Sequence, residues 1–228
     1  MVRTICQHCN RHTGGSYGTA FKEFALQFAS SGLLFTPEQR RAFISLKQIQ
    51  PLRVLKQLGA MVLAAQPEQP NARWRKLQEF VLRRDRRLDG QGGRFYLYRN
   101  VSGLGRISAL AGIGMLYSSV KVPLVFSEIS WPPLGLIYAI DPHPLLSAMK
   151  DITDWGQYGF RDRESFNFSV PQYRVEANWP FAFGTKREAQ TWSEQNHVML
   201  IAIGATDGDN PTQLSSIIER HRRRRKGA

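Results

Sequence analysis

Over the first ninety residues the apolar positions recur at three- and four-residue steps. After Tyr17 the series Phe21, Phe24, Ala25 and Phe28 marks one face of a helix that Gly32 closes. "TPEQ" then reads as a second helix start, with Thr36 as N-cap, Pro37 at the first helical position and Gln39 at the third, and the expected helix runs to about Lys47. Pro51 opens a third. There Leu52, Leu55, Leu58, Met61 and Val62 form an apolar stripe, while Arg53, Lys56 and Gln57 face elsewhere. Past the loop "QPEQPN" (66–71), Asn71 caps a helix with Trp74, Leu77, Phe80 and Val81 inward. Arg73, Arg75, Lys76, Arg83 and Arg84 fall largely on its outer face. "DGQGG" (89–93) is a strong break and places a domain boundary near residue 90.

Beyond the break the period shortens. "RFYLYRNV" alternates as a strand does, and "GRISALAGIGMLYSS", "VKVPLVFSEIS" and "LGLIYAID" follow between Gly, Pro and polar turns. Together they predict an antiparallel sheet of about four strands, to which "ESFNFSVP" and "YRVEANWPFAF" add one or two. "KREAQTWSEQN" (186–196) reads as a helix and "VMLIAIGA" as a buried strand. A last helix starts near Pro211 with Leu214, Ile217 and Ile218 inward. Because helices and strands are segregated, the expected fold class is α+β. In order, it comprises an N-terminal CxxC knuckle (1–20), a basic helical region (21–90), a mainly antiparallel β-rich region (91–205) and a basic C-terminal helix and tail (206–228).

Composition permits a real core, since 42% of the 228 residues are hydrophobic and 11% aromatic. No apolar run approaches the ~18 residues a membrane span needs. No basic region followed by an apolar stretch marks a leader, and two cysteines do not make a disulfide scaffold. A cytoplasmic protein without membrane contact is expected.

Charge changes the picture more. Of the net +13, most lies in residues 1–90, which hold 15 Lys/Arg against 6 Asp/Glu; residues 91–205 hold 10 against 9, and 206–228 hold 6 against 3. Such asymmetry points to a polyanion, nucleic acid and DNA first. The candidate contacts are Arg73, Lys76, Arg83, Arg84, Arg86 and Arg87, where "RRDRR" continues a basic helix face, and Arg222, Arg223, Arg224 and Arg225 in the tail. The plain alternative is a solvated helix end, whose arginines suit the C-terminal dipole, and a mobile interaction tail.

The two cysteines stand in "ICQHCNRHTGG" (5–15). A CxxC turn brings two thiolates to one ion, and zinc wants four ligands. His12 follows Cys9 by one helical turn and could be a third, whereas the ring of His8 would point away. Two free cysteines or a redox pair fit the same spacing, although a redox pair should follow a strand in a βαβ unit.

"CQHCNRHTGGSYG" before an aromatic helix resembles the second half of a zinc-supported HNH endonuclease module, in which a second CxxC opens a helix as CxxCN. The resemblance implies structural zinc at Cys6 and Cys9. It places Asn10 at the last position of the active-site motif, near a divalent cation such as Mg2+. The first CxxC and the catalytic histidine of that family have no assigned counterpart. An internal start codon, a degenerate descendant, or substitution by His8 and His12 would each account for this. More widely, the chain is similar to bacterial and phage proteins described as HNH-endonuclease-like, through "RVLKQLGAMVLAAQ" and "DITDW…VP…NWPFAFGTKREAQTW".

Other constellations weigh less. "GLGRISALAGIGM" lacks the GxGxxG context, and neither a P-loop nor a GxSxG elbow occurs. Trp74 could stack on a base, but its spacing with Leu77 and Val81 favours core. Asp151 and Asp154 could share a cation, but short Asp side chains favour caps and turns. Glu128 receives no role, His143 reads as loop, and His197 as structural. Two function classes follow. One is a nucleic-acid-binding, HNH-endonuclease-like protein that, if active, hydrolyses phosphodiesters with a metal. The other is a noncatalytic interaction protein whose β-rich region binds a protein or small molecule. Oligomeric state is not legible.

Overall fold

The computed structural model describes residues 7–32, 39–65, 72–88, 93–102, 104–113, 124–173 and 198–202. The expected elements within 174–197 and 203–228 lie outside these. So do Cys6 and the side chains of Cys9, Asn10, His12 and Arg73, and all of Arg222, Arg223, Arg224 and Arg225.

The chain is mixed α and β. Helix α1 (Gln7–Gly32) starts ten residues before the expected helical pattern and runs through Gly14 and Gly15. Those glycines are exposed, and no atom outside the helix lies within 4 Å of where their Cβ would be. They cost helix stability but obstruct nothing. The buried stripe Thr13, Tyr17, Ala20, Phe24 and Phe28 holds the helix down at three- and four-residue steps.

The second expected helix is a strand instead. β1 (Arg41–Ile49) alternates, burying Ala42, Ile44 and Leu46 while Arg41, Phe43 and Lys47 are exposed. The period of two outweighs the helix-start signal at Thr36 and Pro37, because one buried face of a strand needs only every second residue to be apolar. Gln48 takes φ 51°, where the register shifts between Leu46 and Ile49.

α2 (Pro51–Ala65) and α3 (Ala72–Leu82) follow as predicted. α2 is buried on nearly every side, between α1, α3 and the sheet. Gly59 makes the α2–α3 approach possible: a Cβ there would meet the Val81 side chain at 2.9 Å.

The sheet is built from β2 (Arg94–Asn100), β3 (Leu104–Ile113), β4 (Leu124–Trp131), β5 (Leu134–Ala139), β6 (Lys150–Asp151), β7 (Glu164–Tyr173) and β8 (Val198–Ala202), together with β1. Its order is β1-β7-β2-β5-β4-β3-β8, with β6 beside the middle of β2. Every pairing is antiparallel except β2 with β7, which meet in parallel only at Arg99–Gln172 and Asn100–Tyr173. Strand β1, from before residue 90, therefore pairs with β7, from far beyond it.

The two sheet faces carry separate cores. The helices cover the face bearing Phe95, Leu97, Ile129, Leu134, Leu136 and Tyr138. The opposite face gathers Tyr96, Tyr98, Phe126, Ile137 and Ala139, with Leu146 and Met149 from the following loop. The outer edge of β1 is closed by α1. The Gln27 side chain accepts from Lys47 N at 2.6 Å and donates to Lys47 O at 3.0 Å, and the Ser31 hydroxyl accepts from Ser45 N at 3.2 Å and donates to Ser45 O at 2.8 Å. One helix turn thus stands in for a neighbouring strand and blunts an edge that could otherwise pair with another chain.

Candidate nucleic-acid interface

The basic face begins on α3 and continues past its end. Trp74, Leu77, Phe80 and Val81 are buried, as the spacing predicts, so Trp74 is core and not a stacking platform. Across the helix, Arg75 is exposed and Lys76 half-buried. The helix stops at Leu82, so Arg83, Arg84, Arg86 and Arg87 are not the further helix face that the sequence suggests. They occupy a turn in which Arg86 N donates to Arg83 O at 3.1 Å.

That turn is anchored from inside. Lys56, expected to face away from the core of α2, is fully buried. Its ammonium donates to Phe80 O, to Arg83 O at 2.9 Å and to Arg86 O at 2.8 Å. These are carbonyls that the end of α3 and the turn leave without helical partners. Burial draws the Lys56 pKa down to about 7, against an opposing pull from Asp85. On the far side Leu88 is buried and its N–H donates to Gly156 O at 3.0 Å. Between these anchors Arg83, Arg84, Arg86 and Arg87 are all exposed, and among the described residues none makes a side-chain hydrogen bond or ion pair.

Sequence reasoning missed the residues that the fold adds to this face. Phe160 sits in a turn closed by Asp162, whose carboxylate accepts from Gly159 N at 2.6 Å. Arg84 lies over its ring at 4.2 Å from the centroid and Arg53 at 5.1 Å. Arg161 and Arg163 follow, both exposed. Arg163 donates to Gln48 O at 2.8 Å and lies 3.7 Å from Glu23. Burial, and then the charge of Arg84, lower the Arg53 pKa, with Glu23 acting against them. The only signal in the sequence was an arginine, Arg53, interrupting an apolar helix.

Two other polar places serve the fold. On the sheet face away from the helices, Arg106 and Glu128 form an ion pair at 2.5 Å with side chains 2% and 1% exposed. The Tyr98 hydroxyl donates to the other Glu128 oxygen. Burial, then the Glu128 charge, raise the Tyr98 pKa well above its usual value. Gly135 lets the Tyr98 ring lie flat across β5, since any Cβ there would collide with it. Glu128, given no role from sequence, is thus the centre of a buried cluster.

A hollow of about 430 Å³ is lined by Tyr96, His143, Leu146, Met149 and Asp151 among others. Its polar groups are engaged locally. His143 Nδ1 accepts from Leu145 N at 3.2 Å, and Asp151 accepts from Thr153 N at 2.8 Å and pairs with Arg94 at 3.0 Å. The turn reading of Asp151 therefore holds.

Of the nuclease-motif residues, Cys9, Asn10 and His12 enter as backbone positions in the first turns of α1. Among the described residues no group of three His, Cys, Asp or Glu gathers to hold a metal, and no helix is long and apolar enough to cross a membrane. No family model, curated protein or solved structure matches this chain.

Proposed function

We propose that this chain binds nucleic acid, DNA first, through the face made by α3, the 83–87 turn and the 159–163 turn. The observation that carries the reading is the run of exposed arginines held, among the described residues, without ion-pair partners between two buried anchors. An unpaired, exposed guanidinium is poised to neutralise a phosphate and release its counterion. Arg83, Arg84, Arg86 and Arg87 act together as the continuous patch, with Arg75 and Lys76 extending it along α3. Arg222, Arg223, Arg224 and Arg225 add nonspecific contacts from the tail.

Duplex DNA binding measured across a salt series tests this. Replacing the four turn arginines by Gln should cut the slope of log affinity against log salt by about 3 to 4, at ~0.9 per lost phosphate contact, and weaken binding by roughly 100-fold or more at moderate salt. Binding that ignores salt, or no DNA binding at all, would favour the noncatalytic interaction reading in its place.

The HNH-like resemblance adds structural zinc at Cys6 and Cys9 to this reading, with His12 as a third candidate ligand. About one zinc per chain, lost on replacing Cys6 and Cys9 by Ser, is the expected result of a metal assay; metal-free protein as purified under non-chelating conditions would defeat it. No residue of the chain is assigned as the family's general base, so binding is proposed first; any catalysis would be divalent-metal phosphodiester hydrolysis near Asn10.

A further inference from the structure

Two guanidinium groups from separate elements converge on one aromatic ring. Arg53 projects from α2 and Arg84 from the turn after α3, and both lie over Phe160. Arg53 is fixed from behind, with Nε donating to Ser16 O at 2.7 Å and Nη1 donating to Gln50 Oε1 at 2.7 Å. Its second Nη makes no hydrogen bond. Among the described residues Arg84 makes none at all. The platform is rigid: Tyr17 meets Phe160 edge-on at 6.2 Å and is itself tied by its hydroxyl to Val81 O at 2.7 Å.

The two charges repel each other, that of Arg84 helping to lower the Arg53 pKa, and the negative face of a ring offsets only part of that. Carboxylates are near but do not quench the pair. Glu23 is engaged with Arg163, and Asp85, although adjacent in sequence to Arg84, forms no ion pair with it. What such a pair lacks is an anion able to accept from two planar forks at once, and a tetrahedral phosphate group does this better than a carboxylate or halide.

We infer that Arg53 and Arg84, seated on Phe160, form a clamp for one phosphate group. The inference rests on the nucleic-acid reading for its natural source, the sugar–phosphate backbone; a free phosphomonoester carries the same chemistry. The clamp gives that interface a fixed register point, where the remaining turn arginines supply only diffuse attraction.

The test is a titration of the full chain with inorganic phosphate, ionic strength held constant with chloride, read by thermal unfolding. Phosphate should raise the unfolding temperature saturably. Arg84→Ala, whose side chain has no structural hydrogen bond, should need about tenfold more phosphate for the same effect, and Arg53→Gln should behave alike. Arg83→Ala/Arg86→Ala/Arg87→Ala should keep the response while losing DNA affinity. Displacement of DNA by phosphate at constant ionic strength would identify the backbone as the source. A phosphate response in a chain that binds no DNA would support the clamp with a free phosphomonoester as its ligand and remove the nucleic-acid reading. Absence of any phosphate effect in the wild type, or an unchanged response in Arg84→Ala, overturns the clamp, whether or not DNA is bound.

Discussion

Glu128→Ala should destabilise the fold by about 3–5 kcal/mol, because it withdraws a buried carboxylate that pairs with Arg106 and accepts from Tyr98. With side chains 2% and 1% exposed, neither partner of the pair can recover water when the other is removed. For a chain of this length each kcal/mol is worth roughly 2–4 °C, so unfolding should shift down by about 10 °C or more. Removing both charges is a different experiment. Arg106→Met combined with Glu128→Leu replaces a desolvated pair by apolar groups and should recover most of the loss. The Tyr98 hydroxyl then loses its Glu128 acceptor, and adding Tyr98→Phe should change stability by no more than ~1 kcal/mol. Thermal or denaturant unfolding of the two single variants, the double and the triple completes the cycle. A Glu128→Ala protein as stable as wild type would show that the pair contributes nothing.

Lys56→Met should cost about 2–3 kcal/mol near neutral pH, since it withdraws the donor shared by Phe80 O, Arg83 O and Arg86 O. The pH dependence separates this from simple loss of packing. The folded pKa, about 7, is below the ordinary lysine value of 10.5. Between those values the unfolded chain holds a proton at Lys56 that the folded chain releases. The unfolded state binds more protons, so this group's contribution to stability rises as pH goes from about 7 to 10.5. Below the folded value the proton is present in both states and the slope ends. The stability gap between wild type and Lys56→Met should therefore widen with rising pH across that window. A gap that stays constant from pH 6 to 10 would mean that the ammonium keeps an ordinary pKa, held by its three carbonyl acceptors. Because the same lysine anchors the arginine turn, Lys56→Met should also weaken the proposed DNA binding, although Lys56 is fully buried.

Legibility in the sequence divides along physical lines. The inner faces of α2 and α3 were readable because each is set by spacing within one element. Trp74, Leu77, Phe80 and Val81 fall on one side of any helix drawn through them, whatever it packs against. The strands β2, β4 and β5 were readable from alternation and from the turns between them. β1 was not, because a Thr-Pro helix start precedes a segment of period two, and pairing with β7, more than a hundred residues on, decides between them. Lys56 misled for a similar reason. A lysine among leucines is ordinarily solvated, and only the carbonyls left without helical partners at the end of a different helix make its burial favourable.

By itself, the sequence determined the excess positive charge of the first ninety residues, the segregation of α2 and α3 from the later strands, and the run of arginines that follows α3. Those properties are local sums, and they survive any choice of tertiary arrangement. Only the tertiary structure decided that Arg53 and Phe160 join Arg84, that Glu128 meets Arg106 and Tyr98 on the far face of the sheet, and that α1 closes the edge of β1. Each of these contacts joins residues distant in the chain. Their energies come from desolvation and directional bonding, which exist only once the elements have been packed.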